Sequence, residues 1–479
     1  MMTDPSPRKR RIRALADRLA PERAAWRRRS AYFHADDLRY LRFLIPDGAR
    51  VLELGCATGD LLAALRPAVG VGVDFSEPMI DVARRQHPHL QFTVADIENP
   101  EWVHQVQGPF DYIVIVDTIG SLDDCQAALE LLHPLCERRT RVIIAYYAYF
   151  WDPVLRLAET VRLKMPTEAQ SVLSTDDIGG LLRLADFQVI QREWRQLIPL
   201  RLGGIGPLIN RFLGTLPVVR RFSLRNFVVG RSLRRANTEL RSASVIVPCR
   251  NERGNIEPAV LRMPRFCSDI EIIFVEGHSR DGTYEEAKRV RDRHGREWDI
   301  KVMQQNGVGK ADAVFKGFDH ARGDVLMILD ADLTVPPEQL AKFWAAIESG
   351  KCEYVHGTRL VYPMEKQAMR FLNLLANWAF SVMFSWLLNR RLTDTLCGTK
   401  VLRRVDYLRL KSNRDYFGQF DPFGDFDLIF GATKLGLQTM EIPIRYASRS
   451  YGETQISRFR HGWMLLKMVA FAFRKLKAF

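Results

Sequence analysis

Two carboxylates one residue apart, Asp330 and Asp332, close the apolar run from Asp324 to Leu329. On an extended strand residues i and i+2 point to the same side, so the pair could offer both carboxylates to one divalent cation, which would in turn clamp phosphates. Paired acids also end ordinary strands and cap helices, so the neighbouring residues decide between these readings. Upstream, a strand from Ser244 to Val247 stops at Pro248 and is followed by Arg250, Asn251 and Glu252 before a helical pattern. A second strand, Ile270 to Val275, runs into Glu276, a turn from Gly277 to Thr283 and another helix. Strands alternating with helices predict a parallel sheet, whose ligands gather at the carboxyl ends of the strands. All three acidic clusters fall at that edge.

The first half carries a different constellation. Val51 to Asp60 reads as a strand, a tight turn through Gly55 and Gly59, and a helix start, which lets a ligand approach backbone N–H groups. Asp74 ends the next strand, Val71 to Val73, at a spacing suited to ribose hydroxyls. A dinucleotide fingerprint would need glycine where Ala57 and Asp60 stand, which disfavours a nicotinamide site. Asp96, after a strand from Phe92 to Ala95, could face an adenine amino group. His87, His89, His104 and His133 read as surface or core residues, and Tyr146, Tyr147 and Tyr149 as packing residues near a substrate entrance.

Glu53-Leu54-Gly55-Cys56-Ala57-Thr58-Gly59, Asp74-Phe75-Ser76 and Ala95-Asp96-Ile97 resemble the motifs of class I S-adenosylmethionine-dependent methyltransferases, over about Tyr40 to Arg231. The resemblance implies that Glu53 and Gly55 contact the methionine end, with Gly59 in the same turn, Asp74 the ribose, and Asp96 and Ile97 the adenine. Ala57 replaces the usual second glycine, and its methyl would crowd the cofactor. A Rossmann-like scaffold or binding module without turnover is the alternative.

The second half resembles the inverting family 2 glycosyltransferases, most closely their polyprenyl-phosphate (dolichol-phosphate mannose type) sugar synthases. The matching pieces run in order from Val247-Pro248 with Asn251-Glu252, through Val275-Glu276 with Asp281-Gly282-Thr283, Gly309-Lys310-Ala311, Asp330 to Glu338, and Gly357-Thr358-Arg359, to Asp394 with Cys397-Gly398-Thr399-Lys400, and Arg449 with Tyr451-Gly452-Glu453-Thr454. The resemblance implies a nucleotide-sugar pocket lined by Pro248, Arg250, Glu252, Glu276 and Lys310. It further implies Mg²⁺ or Mn²⁺ on Asp330 and Asp332, and phosphate contacts from Arg359, Arg370 and Arg449. Two departures stand out: Gly277 follows Glu276 where the family often has a second acid, and Gln455 stands where it has lysine.

Breaking the bond from sugar C1 to the nucleotide builds negative charge on the diphosphate, which a metal and an arginine can neutralise. A sugar hydroxyl as acceptor needs a general base, and Asp427 or Asp425 lies near where the wider family keeps one; helix N-terminal charge is the other reading of both. A lipid phosphate arrives as an anion and needs cations such as Arg370 and Arg449. The expected reaction is sugar transfer from a nucleotide diphosphate sugar to a polyprenyl phosphate, with transfer to a lipid-linked or surface glycan hydroxyl as the alternative.

These sites require two α/β units, a class I methyltransferase fold and a GT-A glycosyltransferase fold. The 479 residues, 47% hydrophobic, supply two full cores. Expected boundaries are a basic extension over 1–39, a methyltransferase-like domain over 40–231, a linker over 232–241, a glycosyltransferase domain over 242–457 and a basic amphipathic helix over 458–479. Seven cysteines, with no pair two residues apart, predict neither a disulfide framework nor a zinc site. With no secretory pattern around Arg8-Lys9-Arg10-Arg11, the expected place of work is the cytoplasm, peripheral on the inner face of the cell membrane.

The formal charge of +14 concentrates at the edges: residues 1–30 hold ten basic and three acidic groups, 201–241 nine and one, 449–479 seven and one. An anionic membrane surface is favoured over nucleic acid because the last segment mixes its cations with Trp463, Leu466 and Phe471, and no nucleic-acid recognition motif is present. Solvated helix charge is the alternative. From Arg370 to Leu388 the residues Arg370, Asn373, Asn377, Ser381 and Ser385 form one polar stripe. That helix could lie in the bilayer interface with its stripe facing the sugar site, span the bilayer, or sit in the core.

Overall fold

The computed structural model describes residues 6–168, 170–171, 173–236, 239–359, 361, 371–412, 425–447, 449, 451 and 458–477. The chain divides into two compact units, the first ending at Ala236.

The first unit is built on a seven-stranded sheet of β1 (Arg50–Leu54), β2 (Val69–Asp74), β3 (Gln91–Val94), β4 (Phe110–Val116), β5 (Cys136–Tyr147), β6 (Phe187–Arg195) and β7 (Arg225–Ser232). The order is β3-β2-β1-β4-β5-β7-β6, with β1 to β5 parallel and β7 antiparallel to both neighbours. Chain order reverses between β1 and β4, so the crevice of this sheet opens beside the Gly55 turn. Strands in such a sheet are covered on both faces, which is why Val51, Leu52, Ile113, Val114, Val142, Ile143 and Ile144 are all buried.

Residues expected as an N-terminal extension fold into helices, among them Pro7–Leu19, Arg23–Arg29 and Ala31–Leu44. Ser6 caps the first, accepting from the Lys9 N–H at 3.0 Å, and Pro7 occupies its first turn. The linker expected from residue 232 begins later: Ser232 is the buried last residue of β7 and bonds the His133 ring at 2.7 Å. Tyr146 is buried with its hydroxyl donating to Ser171 O at 2.8 Å, whereas Tyr149 is exposed.

The second unit holds β8 (Ser242–Cys249), β9 (Asp269–Glu276), β10 (Asp299–Gln304), β11 (Val325–Ile328), β12 (Tyr354–Thr358), β13 (Lys400–Arg403) and β14 (Thr439–Pro443) in the order β10-β9-β8-β11-β13-β12-β14. β10, β9, β8 and β11 run parallel; β13 is antiparallel to β11 and β12. The two mixed α/β sheets are the fold class expected from the sequence. β8 continues through Pro248 instead of stopping before it. Its ladder with β11 ends at Ile246 opposite Ile328, so the missing proline N–H interrupts nothing on that side.

Helix Phe371–Leu388 turns its polar stripe onto the loop before β13. Asn377 donates to Asp394 Oδ1 at 3.0 Å, and Ser381 to Thr393 O at 2.9 Å. The hydroxyl of Ser385 accepts from Leu392 N at 2.9 Å. Those partners account for Asn377, Ser381 and Ser385 of the stripe. Arg370 and the Asn373 side chain lie outside the described residues. Among the described residues no helix is long and apolar enough to cross a membrane.

One buried cation braces the first unit. Arg225, at the start of β7, is fully buried; its guanidinium pairs with Asp37 of helix Ala31–Leu44 at 2.8 Å and with Asp117 just after β4. It also lies over the rings of Tyr147 and Phe33, at 4.8 and 5.2 Å. Burial pushes the Asp37 carboxyl up to about 7, against the pull of Arg225. Arg225→Leu leaves two acids without their cation and should destabilise the unit by about 3 to 5 kcal/mol. Calorimetric unfolding of the full chain should show the first unit's transition moved down and the second unit's unmoved.

Candidate functional site

In the second unit the two acids stand at the carboxyl end of β11, but not on it. The strand ends at Ile328, and Asp330 to Leu333 form a turn closed by Leu333 N donating to Asp330 O at 3.1 Å. The same-face geometry of an extended strand therefore does not apply. Leu333 takes φ 51°, a left-handed conformation costly for a leucine and held here by its surroundings.

Each acid receives its own cation. Lys310, first residue of helix Lys310–His320, contacts Asp330 at 2.6 Å. Burial works to raise the Asp330 carboxyl, yet Lys310, Lys400 and Arg359 together hold it below its ordinary value. Asp332 accepts from Thr334 Oγ1 at 2.8 Å and from Arg449 at 2.7 Å, and Arg449 also reaches Glu252 at 3.1 Å. Burial raises the Glu252 carboxyl, with Asn255 and Arg449 opposing it. Arg449 thus ties the loop after β8 to the turn after β11.

Pro248 pairs with Val275 and Cys249 with Glu276, which brings Glu276 beside the loop holding Arg250. Glu276 is buried; its oxygens accept from the Ser279 N–H and from Gln304 Nε2. Arg250 is exposed. Arg359 grips Asp394 through two nitrogens, at 2.6 and 2.8 Å, and holds that acid at about 2 against the effect of burial. Asp427 is half-buried in the first turn of helix Asp425–Lys434. The Asp425 side chain and the Gly452 to Thr454 motif lie outside the described residues.

Asp330, Asp332, Glu252, Lys310 and Arg449 are brought together. Among the described residues no three or more His, Cys, Asp or Glu side chains converge on a metal position. Two carboxylates fit a hard cation that keeps its waters and takes its remaining oxygens from a diphosphate, the usual manner for Mg²⁺. Gly398 had no role in the sequence reading beyond its motif. A Cβ there would stand 1.9 Å from Asp330 Oδ2 and 2.5 Å from Lys310 Nζ, so a side chain at this position would push the pair aside.

In the first unit Gly55, Ala57 and Gly59 all have positive φ, and the turn is closed by Asp74. Its oxygens accept from Ala57 N at 2.8 Å and Ser76 N at 2.9 Å. Asp74 therefore shapes the turn, in addition to any ligand contact. Glu53 is buried with Oε2 unpartnered, and burial pushes its carboxyl up to about 8. Gly55 is required by close approach, since a Cβ would fall 2.0 Å from Thr118 Oγ1. Ile97 is buried, and Asp96 is claimed by the N-terminal helix: Lys9 Nζ lies 2.5 Å from Asp96 and 2.6 Å from Glu98. Arg8 donates to Gly120 O at 2.6 Å, and Asp17 accepts from Ser76 Oγ at 2.5 Å. Nothing in the spacing around Lys9 announces this contact, because it spans 87 residues.

Comparison with known proteins follows the same division. A family model described as Glycosyl transferase family 2 matches residues 244–410, and one described as Methyltransferase domain matches residues 25–192. An undecaprenyl-phosphate 4-deoxy-4-formamido-L-arabinose transferase of Pseudomonas fluorescens is 27% identical over 228 residues, which is 45% of this chain and 61% of the relative. A dolichol-phosphate mannosyltransferase of Pyrococcus furiosus is 36% identical over 121 residues, 25% of this chain and 33% of the relative. The chain thus spans less than two thirds of these relatives' lengths. A solved S-adenosylmethionine-dependent methyltransferase of Thermotoga maritima, a possible histamine N-methyltransferase, overlaps 46% of this chain and 99% of its own at 18% identity, with a TM-score of 0.36.

Gly398→Ala must shift both the Asp330 carboxylate and the Lys310 ammonium, and a misplacement of about an ångström costs roughly a hundredfold in turnover. Steady-state sugar transfer by the variant should show that loss with the thermal transition of the second unit retained. The chain carries a methyltransferase domain followed by a family 2 glycosyltransferase domain.

Proposed function

We propose that the second unit is an inverting glycosyltransferase that moves a sugar from a nucleotide diphosphate sugar to a polyprenyl phosphate, in the building of lipid-linked or envelope polysaccharide. The observation that carries this reading is the pairing of Lys310 with Asp330 and of Arg449 with Asp332 and Glu252 at one sheet edge. An acceptor phosphate oxygen forms the new bond to C1 while the C1–O bond to the nucleotide breaks, and its electron pair leaves with the nucleoside diphosphate. Lys310 and Arg449 stand where they can meet phosphate charge, and Glu276, Pro248, Arg250 and Arg359 frame the donor side. Mg²⁺ or Mn²⁺ held by Asp330 and Asp332 would supply Lewis-acid neutralisation of the leaving diphosphate when bound.

Work at the cytoplasmic face of a membrane is part of the proposal. Trp378 and Val382 on one helix, and Trp463 and Leu466 on helix Arg458–Leu476, are exposed, and Trp386 stacks on Phe473 at 5.5 Å. Lys467 lies 5.8 Å from the Trp463 ring, so cation and aromatic share one helix face, as suits an anionic interface.

Asp332→Asn should lower sugar transfer by two or more orders of magnitude, and Arg449→Ala should abolish it with polyprenyl phosphate as acceptor. Asp427→Asn should retain substantial activity, because an anionic nucleophile needs no base. A radiolabelled-donor assay with polyprenyl phosphate and glycan acceptors checks all three. An inactive Asp427→Asn beside an active Arg449→Ala would mean transfer to a sugar hydroxyl instead.

The first unit, on the same proposal, binds S-adenosylmethionine at the Gly55 to Gly59 turn. Glu53 and Gly55 serve the methionine end, and Asp96 and Ile97 serve the adenine. Calorimetric titration of the full chain should show binding, weakened in Asp74→Ala by about 1 to 3 kcal/mol. Binding without methyl transfer to any acceptor would leave the unit a cofactor-sensing module.

A further inference from the structure

The first unit turns an unusual amount of apolar side chain outward in two segments, 149–163 and 200–222. Helix Asp152–Thr160 exposes Val154 and Leu157 three residues apart, and helix Ile205–Arg211 exposes Ile205 and Leu208 at the same interval. An amphipathic helix on a globular unit ordinarily buries such a stripe; these two present theirs to solvent. Val218 is 71% exposed and Phe222 58%.

The segments are neighbours in space. Trp151 Nε1 donates to Phe222 O at 3.0 Å, the Phe150 and Phe222 rings lie 6.1 Å apart, and Ala148 N donates to Leu224 O at 2.8 Å. They flank the end of β5 and the start of β7, so the apolar surface lies along the same sheet edge as the Gly55 turn. Its net charge is positive and comes from the second segment: residues 200–222 contain Arg201, Arg211, Arg220 and Arg221 and no acid, while in 149–163 Asp152 and Glu159 balance Arg156 and Arg162. An exposed apolar surface of this extent marks an interaction site, and a net excess of arginine, concentrated in 200–222, favours an anionic one.

We propose that segments 149–163 and 200–222 dock the methyltransferase unit onto an anionic phospholipid bilayer, with the apolar side chains entering the interface and Arg201, Arg211 and Arg221 meeting lipid phosphates. This contact is independent of the exposed tryptophans in the glycosyltransferase unit and of the glycosyl transfer reaction. A methyl acceptor carried on a lipid would meet the first unit at the edge where its cofactor turn lies.

The test uses the full chain with vesicles of phosphatidylcholine containing about a third phosphatidylglycerol, read by flotation and by amide deuterium exchange. To separate the two membrane contacts, it is run in wild type and in Trp378→Ser/Trp463→Ser. Vesicles should slow exchange in 149–163 and 200–222 in both proteins at least tenfold. Leu208→Glu/Phe212→Glu/Val218→Glu should remove that protection, and pure phosphatidylcholine should give none. Should the triple variant misfold by circular dichroism, Arg201→Glu/Arg211→Glu/Arg221→Glu serves in its place. Flotation without protection of these segments overturns the proposal, as does absence of flotation. Protection that rises with protein concentration in the absence of vesicles also overturns it and makes the surface a contact between copies.

Discussion

A carboxylate withdrawn from water keeps its charge only where a cation or several N–H groups answer it, and both units are organised around that requirement. Parallel strands deliver acids to one edge of each sheet, and most of the cations, Lys310 apart, arrive from far along the chain. Lys310 reaches Asp330, and Arg449 reaches Asp332 and Glu252, 117 and 197 residues away. In the first unit Arg225 stands between Asp37 and Asp117, and Lys9 between Asp96 and Glu98. Asp74 is answered by two backbone N–H groups instead of a cation, and burial still raises its carboxyl against them, as it raises that of Glu53.

These pairs give each edge a double character. In the absence of ligand they hold the turns in place; Lys310, Lys400 and Arg359 keep the Asp330 carboxyl below its ordinary value, whereas burial pushes Asp37 up to about 7 despite Arg225. The same cations are the groups a phosphate would recruit, and binding then becomes an exchange of partners. Arg359 is the contrasting case: its bidentate hold on Asp394, reinforced by Asn377, makes it a strut for the loop that carries Gly398. A polar stripe on helix Phe371–Leu388 therefore serves the site through that loop, while its exposed Trp378 and Val382 remain for another surface.

Much of this was legible in the residues. Strand-helix alternation and the glycine turns announced two α/β sheets, and the acidic clusters were placed at the strand ends, because a two-residue period and a glycine requirement are local properties. Element edges were less legible: β8 runs through Pro248, since the strand that would have needed its N–H has already ended. The N-terminal arginines and lysine read as an extension because their partners are remote; in the structure Arg8 and Lys9 are contacts of loops around residues 96 and 120.

The amino-acid order by itself determined which chemistry was available: two acids at the end of an apolar run, a glycine turn followed by an acid, and basic segments between and around them. Only the tertiary structure decided which cation meets which acid, that Asp330 and Asp332 lie on a turn with separate partners, and that Gly398 is small because a carboxylate and an ammonium occupy the space beyond it. It also decided that the apolar stripes of helices Asp152–Thr160 and Ile205–Arg211 face outward. Periodicity specifies that a helix has an apolar face; which side of the unit that face covers depends on contacts between segments distant in sequence, and those exist only once the sheets have closed.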